Sequence, residues 1–273
     1  MIHLLRLALG TVALRPYVFV FFGIYLFIAI STIGWKRTGL YSILAYLIAF
    51  VCEYTSSHGD LGIPFGVYRY VETTRDRELW IAGVPFMDSL SFTFLSFISY
   101  RLAIALASSR RPNAKDISSR WLTAGVAGFL MMYLDVIIDP VTLQGSRWFL
   151  GDLYYYPNGG PYFGVTIWNF IGWFVVCFII VRVYVAIEKR LGDVNLGKAA
   201  PYFLTALAPA LLYFSIMAFN LWVTFRIGER VMGWTGVLLC APLAAVVVYS
   251  IRKGRQDSLR VAQEGKVSFS QST

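Results

Sequence analysis

The sequence predicts an all-α membrane protein, a polytopic helical bundle with about seven transmembrane helices. Three observations carry that prediction. Of 273 residues, 58% are hydrophobic and only 14% are charged, against roughly 25% charged in a soluble domain. That is too little polar sequence to surface a soluble fold of this size. The apolar residues fall in stretches of about 20, the length a helix needs to cross the hydrocarbon core. Nearly all Lys and Arg residues lie between those stretches, where they set topology. The net charge of +9 is read in that way and not as a nucleic-acid-binding surface.

The elements follow in order. The opening MIHLLRLALGTVALRPY is an apolar run broken by Arg6, with no Ala-x-Ala cleavage pattern. It reads as a retained interfacial segment and not a signal peptide. Spans are expected over roughly 17–34, 38–55, 81–107, 121–138, 164–187, 202–225 and 231–251. Each is expected to be continuous helix, because backbone polar groups in lipid must be satisfied within the segment. Pro140 is expected to end the fourth helix. No internal repeat or second domain is evident. Residues 1–251 therefore read as a single transmembrane domain, and 252–273 as a basic, then polar, cytoplasmic tail without fixed structure.

Basic residues orient the bundle. Fourteen fall on one side, beginning with Lys36 and Arg37 and ending in the tail, and eight on the other. The positive-inside rule places the C-terminus in the cytoplasm and the N-terminus outside, in the cell's inner, cytoplasmic membrane. Cys52, Cys177 and Cys240 lie in apolar stretches without metal-type spacing, so no disulfide framework or metal site is expected.

In this topology the informative polar residues share one membrane level, in the outer half. Glu53 ends the second span, Asp88 lies near the start of the third, and Asp135 and Asp139 end the fourth. Asn169 opens the fifth and Asn220 closes the sixth. Asp135 and Asp139 are four residues apart, so they share one helix face. Two carboxyl groups side by side and partly out of water can hold a transferable proton, as a general acid must. Any one of these acids alone is as readily a structural interfacial carboxylate, and each Asn as readily a bridge between helices. Their clustering is what favours function. Asp60, Asp152 and His58 read as loop residues.

Two outer loops carry the remaining signal. The first reads EYTSSHGDLGIPFGVYRY and then WIAGVPFMDSLSF. The second reads DPVTLQGSRWFLGDLYYYPNGGPYFGVTIWNFIGW. Glycine and proline shape irregular backbone, and aromatics give it apolar contact surface. Such loops can roof a cavity, or serve simply as connectors in the aromatic belt.

Together these motifs resemble the carotenoid biosynthesis protein family. The matching positions are Glu53, Gly62, Pro64, Phe65, Gly66, Tyr68 and Tyr70 in the first loop, then Gly83, Val84 and Pro85. Asp135, Asp139 and Pro140 follow, and then Tyr162, Phe163, Gly164, Asn169, Phe170, Gly172 and Trp173. The family includes membrane carotenoid 1,2-hydratases. The resemblance implies addition of water across a terminal carbon–carbon double bond of an acyclic carotenoid end group. FMDSLSF is more polar than the resemblance leads one to expect there, which keeps open a different substrate or reaction.

That chemistry suits the residues present. An acid protonates the less substituted alkene carbon, and water captures the tertiary cation. A positioned acid, a cation-stabilising carboxylate or aromatic face and a water route are required. No cofactor is implied. Asp135 or Asp139 is the candidate donor, and Glu53 or Asp88 the candidate for placing water or balancing charge. Tyr68, Tyr70, Tyr162, Trp168, Asn169 and Trp173 are the candidate substrate-binding residues. The expected partners are an apolar isoprenoid substrate, the lipid bilayer and other enzymes of the same pathway. A carotenoid cyclase begins with the same protonation and stays open, as does a non-enzymatic carotenoid-binding protein. A pyrophosphate-using prenyltransferase is disfavoured, since only one Asp-x3-Asp motif is present. A retinal Schiff base is disfavoured too, since no lysine lies within a span.

Overall fold

A computed structural model describes residues 2–110, 117, 121–188, 190 and 201–270. Among the described residues the chain forms eight α-helices: α1 (Ile2–Leu14), α2 (Pro16–Ile33), α3 (Trp35–His58), α4 (Phe86–Arg110), α5 (Trp121–Thr142), α6 (Ile167–Glu188), α7 (Ala208–Arg226) and α8 (Arg230–Ser270). All but α1 contain a stretch long and apolar enough to cross a membrane, seven in total. The protein is an all-α polytopic membrane bundle. Five of the fourteen basic residues assigned to the cytoplasmic side, Arg111, Lys115, Arg120, Lys189 and Lys198, lie outside the described residues.

Three local features differ from the sequence expectation. The third span does not begin at residue 81, because residues 80–85 form a hairpin. Strand β2 (Trp80–Ile81) pairs antiparallel with β3 (Val84–Pro85), and α4 starts only at Phe86. The two turn residues, Ala82 and Gly83, both have positive φ, as a type I′ hairpin turn requires. Helix α5 does not stop before Pro140 but continues to Thr142. A proline this close to the end forfeits one backbone hydrogen bond, and the last turn still closes, with Leu143 N–H donating to the Asp139 carbonyl at 3.0 Å. Finally, α8 runs on to Ser270 and takes in most of the basic segment.

Close approach of backbones organises the centre. A Cβ on Gly128 of α5 would stand 2.7 Å from the carbonyl oxygen of Phe174 on α6. Small residues let membrane helices meet in this way, where dispersion and not the hydrophobic effect drives association. Gly172 of α6 does the same for the first outer loop: a Cβ there would lie 2.4 Å from the Phe65 ring. At the opposite end of the bundle Arg37 of α3 pairs with Glu188 of α6, Nε to Oε1 at 3.3 Å.

A second ion pair, this one fully buried, sits where α1 meets α2. Arg15 and Glu78 are 1% and 0% exposed, and 3.2 Å separates Nη2 from Oε1. Arg15 also donates to the Leu150 carbonyl, and Thr74 donates to Glu78. Leu79 N–H donates to Thr11 Oγ1 at 2.8 Å. This network fastens the start of the chain to both outer loops.

Candidate functional site

The two outer loops are stitched by a short antiparallel pairing, β1 (Arg69–Tyr70) with β4 (Tyr154–Tyr155), in the register Arg69 opposite Tyr155 and Tyr70 opposite Tyr154. Side chains alternate along a strand with period two. Tyr68 and Tyr70 therefore share a face, as do Tyr154 and Tyr156, and all four line one cavity. Tyr155, of opposite parity, is exposed. Their rings meet edge to face, Tyr68 with Tyr154 at 5.6 Å and Tyr154 with Tyr156 at 5.9 Å between centroids.

The hydroxyls of this tyrosine quartet reach the acids. Tyr154 donates to Asp139 Oδ1, and Tyr156 donates to Asp139 Oδ2 at 2.8 Å. Asn169 Nδ2 donates to Asp139 Oδ2 at 3.0 Å and to Asp135 Oδ2 at 2.6 Å. The pair four residues apart on α5 is thus clamped by one amide from α6. Asp135 is 0% exposed, and its Oδ1 has no hydrogen-bond partner among the described residues. Across the cavity, Ser89 donates to Glu53 Oε2. Tyr70 lines the cavity together with Glu53 and Asp88, and its hydroxyl lies 3.3 Å from that of Tyr68.

Burial, followed by the Asp139 carboxyl, pushes the phenols of Tyr154 and Tyr156 well above the usual tyrosine range. Burial and the Glu53 carboxyl do so for Tyr68, and burial with Asp88 and Glu53 for Tyr70. All four remain neutral hydroxyls at physiological pH, and each can donate and accept a hydrogen bond.

The cavity these groups surround measures about 120 Å³. On the scale where one water needs roughly 10–15 Å³, it accommodates a small branched hydrocarbon end together with water. One wall is a ring stack: Phe92 lies 4.7 Å from Trp173 and 5.7 Å from Phe65, by centroids. Polar groups enter from Glu53, Asp88, Ser91, Asp139, Asn169 and Asn220. Among the described residues no three His, Cys, Asp or Glu side chains are grouped as a metal site needs.

Of the residues singled out from sequence, Glu53, Asp88, Asp139, Tyr68, Tyr70, Asn169 and Trp173 all line the cavity. Asp135 stands behind Asp139, joined through Asn169. Trp168 and Tyr162 are not brought to it. Trp168 is 64% exposed, because it precedes Asn169 by one position, and one step turns a helical side chain by about 100°. Tyr162 packs instead on Phe163 and Phe170. Its loop turns back at Phe163 and Gly164, both of positive φ, to pair Tyr162 with Val165. Sequence reasoning passed over Tyr154, Tyr156 and the Arg15–Glu78 pair. The three consecutive tyrosines at 154–156 carry no apolar–polar alternation to mark which of them face inward. Nothing local marks Arg15 and Glu78 as partners.

A family model described as carotenoid biosynthesis protein matches residues 7–248. No curated protein and no solved structure matches the chain.

Proposed function

Because the chain belongs to the carotenoid biosynthesis protein family, we propose that it adds water across the terminal double bond of an acyclic carotenoid end group by acid catalysis, without a cofactor. One observation carries this reading: the Asp139 carboxyl lines an apolar cavity, backed by Asp135 through Asn169, while Asp88 lines the same cavity. In this reading Asp139 gives a proton to the less substituted alkene carbon. The hydroxyls of Tyr154 and Tyr156 can turn to accept from Asp139 or donate to it, which lets them steer that proton. The tertiary cation forms among the faces of the tyrosine quartet and Trp173, where ring quadrupoles favour positive charge. Water held by Asp88 and Glu53 attacks the cation carbon through oxygen, and its surplus proton returns to a carboxylate. The sum is alkene plus water to tertiary alcohol.

The reaction would take place in the outer half of the cell's inner membrane, with the N-terminus outside and the C-terminus in the cytoplasm. Enzymes that make or consume the same carotenoid are the natural partners. The test is expression in cells that accumulate lycopene, followed by mass analysis of the pigments. The expected product is heavier by one water. An isomer of unchanged mass would replace this reading with a cyclase, and unmodified pigment retained on the purified protein would replace it with a carrier.

A further inference from the structure

The cavity has room for the end of a carotenoid and not for its length, so the rest of the chain must leave the bundle. The stack of Phe65, Phe92 and Trp173 is buried on one side. Between α5 and α7 the space is filled by Val141, Val223 and Met232, all buried. Another side of the lining is aromatic. Tyr17 and Phe21 of α2 and Trp148 of the second outer loop line the cavity and keep part of their surface exposed. Behind them stands Phe219 of α7, stacked on Tyr17 at 5.1 Å and 25° and edge-on to Phe21 at 5.9 Å. Phe219 in turn meets Trp222 and Phe149, which are 57% and 54% exposed. The rings run unbroken from the cavity lining through Phe219 to the exposed rings of Trp222 and Phe149.

We propose that these rings, Tyr17, Phe21, Trp148 and Phe219, form a second binding subsite, which holds the conjugated chain of the substrate where it passes between α2 and α7 into the bilayer. This rests on the reading of the ligand as a long isoprenoid. Flat aromatic faces match a flat polyene, and none of the four rings brings a charge. The end group then sits among the acids while the chain lies in lipid, so the substrate need never enter water.

The experiment compares two ligands on purified protein in lipid nanodiscs. One is lycopene, and the other is a short acyclic isoprenoid alkene with the same terminal double bond that fits inside the cavity. Bound ligand is quantified by mass spectrometry. Phe219→Ala should weaken lycopene binding roughly tenfold, as loss of aromatic stacking implies, and weaken the short alkene far less. Retained binding of the short alkene also shows that the variant is folded. The emission of Trp148, taken as the difference between wild type and Trp148→Phe, should be quenched by lycopene and not by the short alkene. Equal weakening of both ligands, unquenched Trp148, or no binding of lycopene by the wild type would overturn the subsite. Chain-length-selective binding without any hydrated product would uphold the subsite and remove the hydratase reading.

Discussion

Tyr70 stands opposite Tyr154 in the antiparallel pairing of β1 with β4, although the two belong to different outer loops. That pairing turns separate clusters into one site. Tyr70 lines the cavity beside Glu53 and Asp88, and Tyr154 donates to Asp139. Through the two strands, acids carried by α3, α4 and α5 address the same small volume.

The aspartate pair should be indispensable. Asp139→Asn keeps size and hydrogen bonding but removes the acidic proton, and turnover should fall roughly 10²–10⁴-fold. Asp135→Asn should fall as well, acting through Asn169. Pigment analysis gives turnover, and protease protection of membranes gives insertion, which should be unchanged. Turnover like wild type in both variants would move the donor role to Glu53 or Asp88.

The two phenols on Asp139 should matter through their hydroxyls alone. Tyr154→Phe and Tyr156→Phe each remove one hydrogen bond and keep the ring, so each should destabilise the protein by roughly 1 kcal/mol. Turnover should fall further than that loss of stability explains. Thermal melting in detergent beside initial rates separates the two effects. Rates unchanged in both variants would show that the phenols only pack.

Tyr68, Tyr70, Tyr154 and Tyr156 have phenols raised by burial and neighbouring carboxyls. The sign follows from linkage. A phenol raised in the folded protein contributes its full stability below about pH 10, the value of the unfolded chain, and loses it as pH climbs above that. In an ultraviolet titration the tyrosinate signal of the quartet, obtained by difference from the four Tyr→Phe variants, should appear only above the ordinary range. Melting temperature should decline on the same alkaline side. Ionisation of the quartet near the unfolded value would contradict this.

Breaking the buried Arg15–Glu78 pair should cost about 3–5 kcal/mol, since either partner alone is left as an unpaired buried charge. Arg15→Met and Glu78→Gln are the informative variants. Both should melt early and lose protection of the outer loops in hydrogen exchange. The double variant should recover part of the loss. Additive losses would mean the two residues do not act as a pair.

Topology is tested by reporter fusions. The bias of fourteen basic residues against eight predicts that a reporter after Ser258 and one within residues 70–78 lie on opposite sides. Reports from the same side would break the seven-span arrangement.

Much of this was legible in the sequence, and for a physical reason. Lipid imposes length and apolarity on a span, so seven helices could be counted directly. Carboxyl groups are costly in lipid, so Glu53, Asp88, Asp135 and Asp139 stood out and were placed at one level. What escaped were features that depend on contacts distant in sequence. A two-residue strand such as Tyr154–Tyr155 leaves no periodic trace, and its partner, Arg69–Tyr70, lies far away in the sequence. Trp168 is a candidate as an aromatic of the second outer loop, but helical phase assigns the inner face to Asn169 and Trp173. Pro140 reads as a stop in water, but near the end of a membrane helix it is tolerated.

The join between β1 and β4 also has a consequence for biogenesis. Residues 69–70 emerge from the ribosome well before residues 154–155, and α4 and α5 separate them. Until the later strand has arrived, the earlier loop has no mate, and Asn169, which clamps the aspartates, comes later still. A nascent chain that stops after α5 carries all four acids but lacks β4 and Asn169. Two half-proteins divided between α4 and α5 would each be inert, and activity should return when both are made in the same membrane.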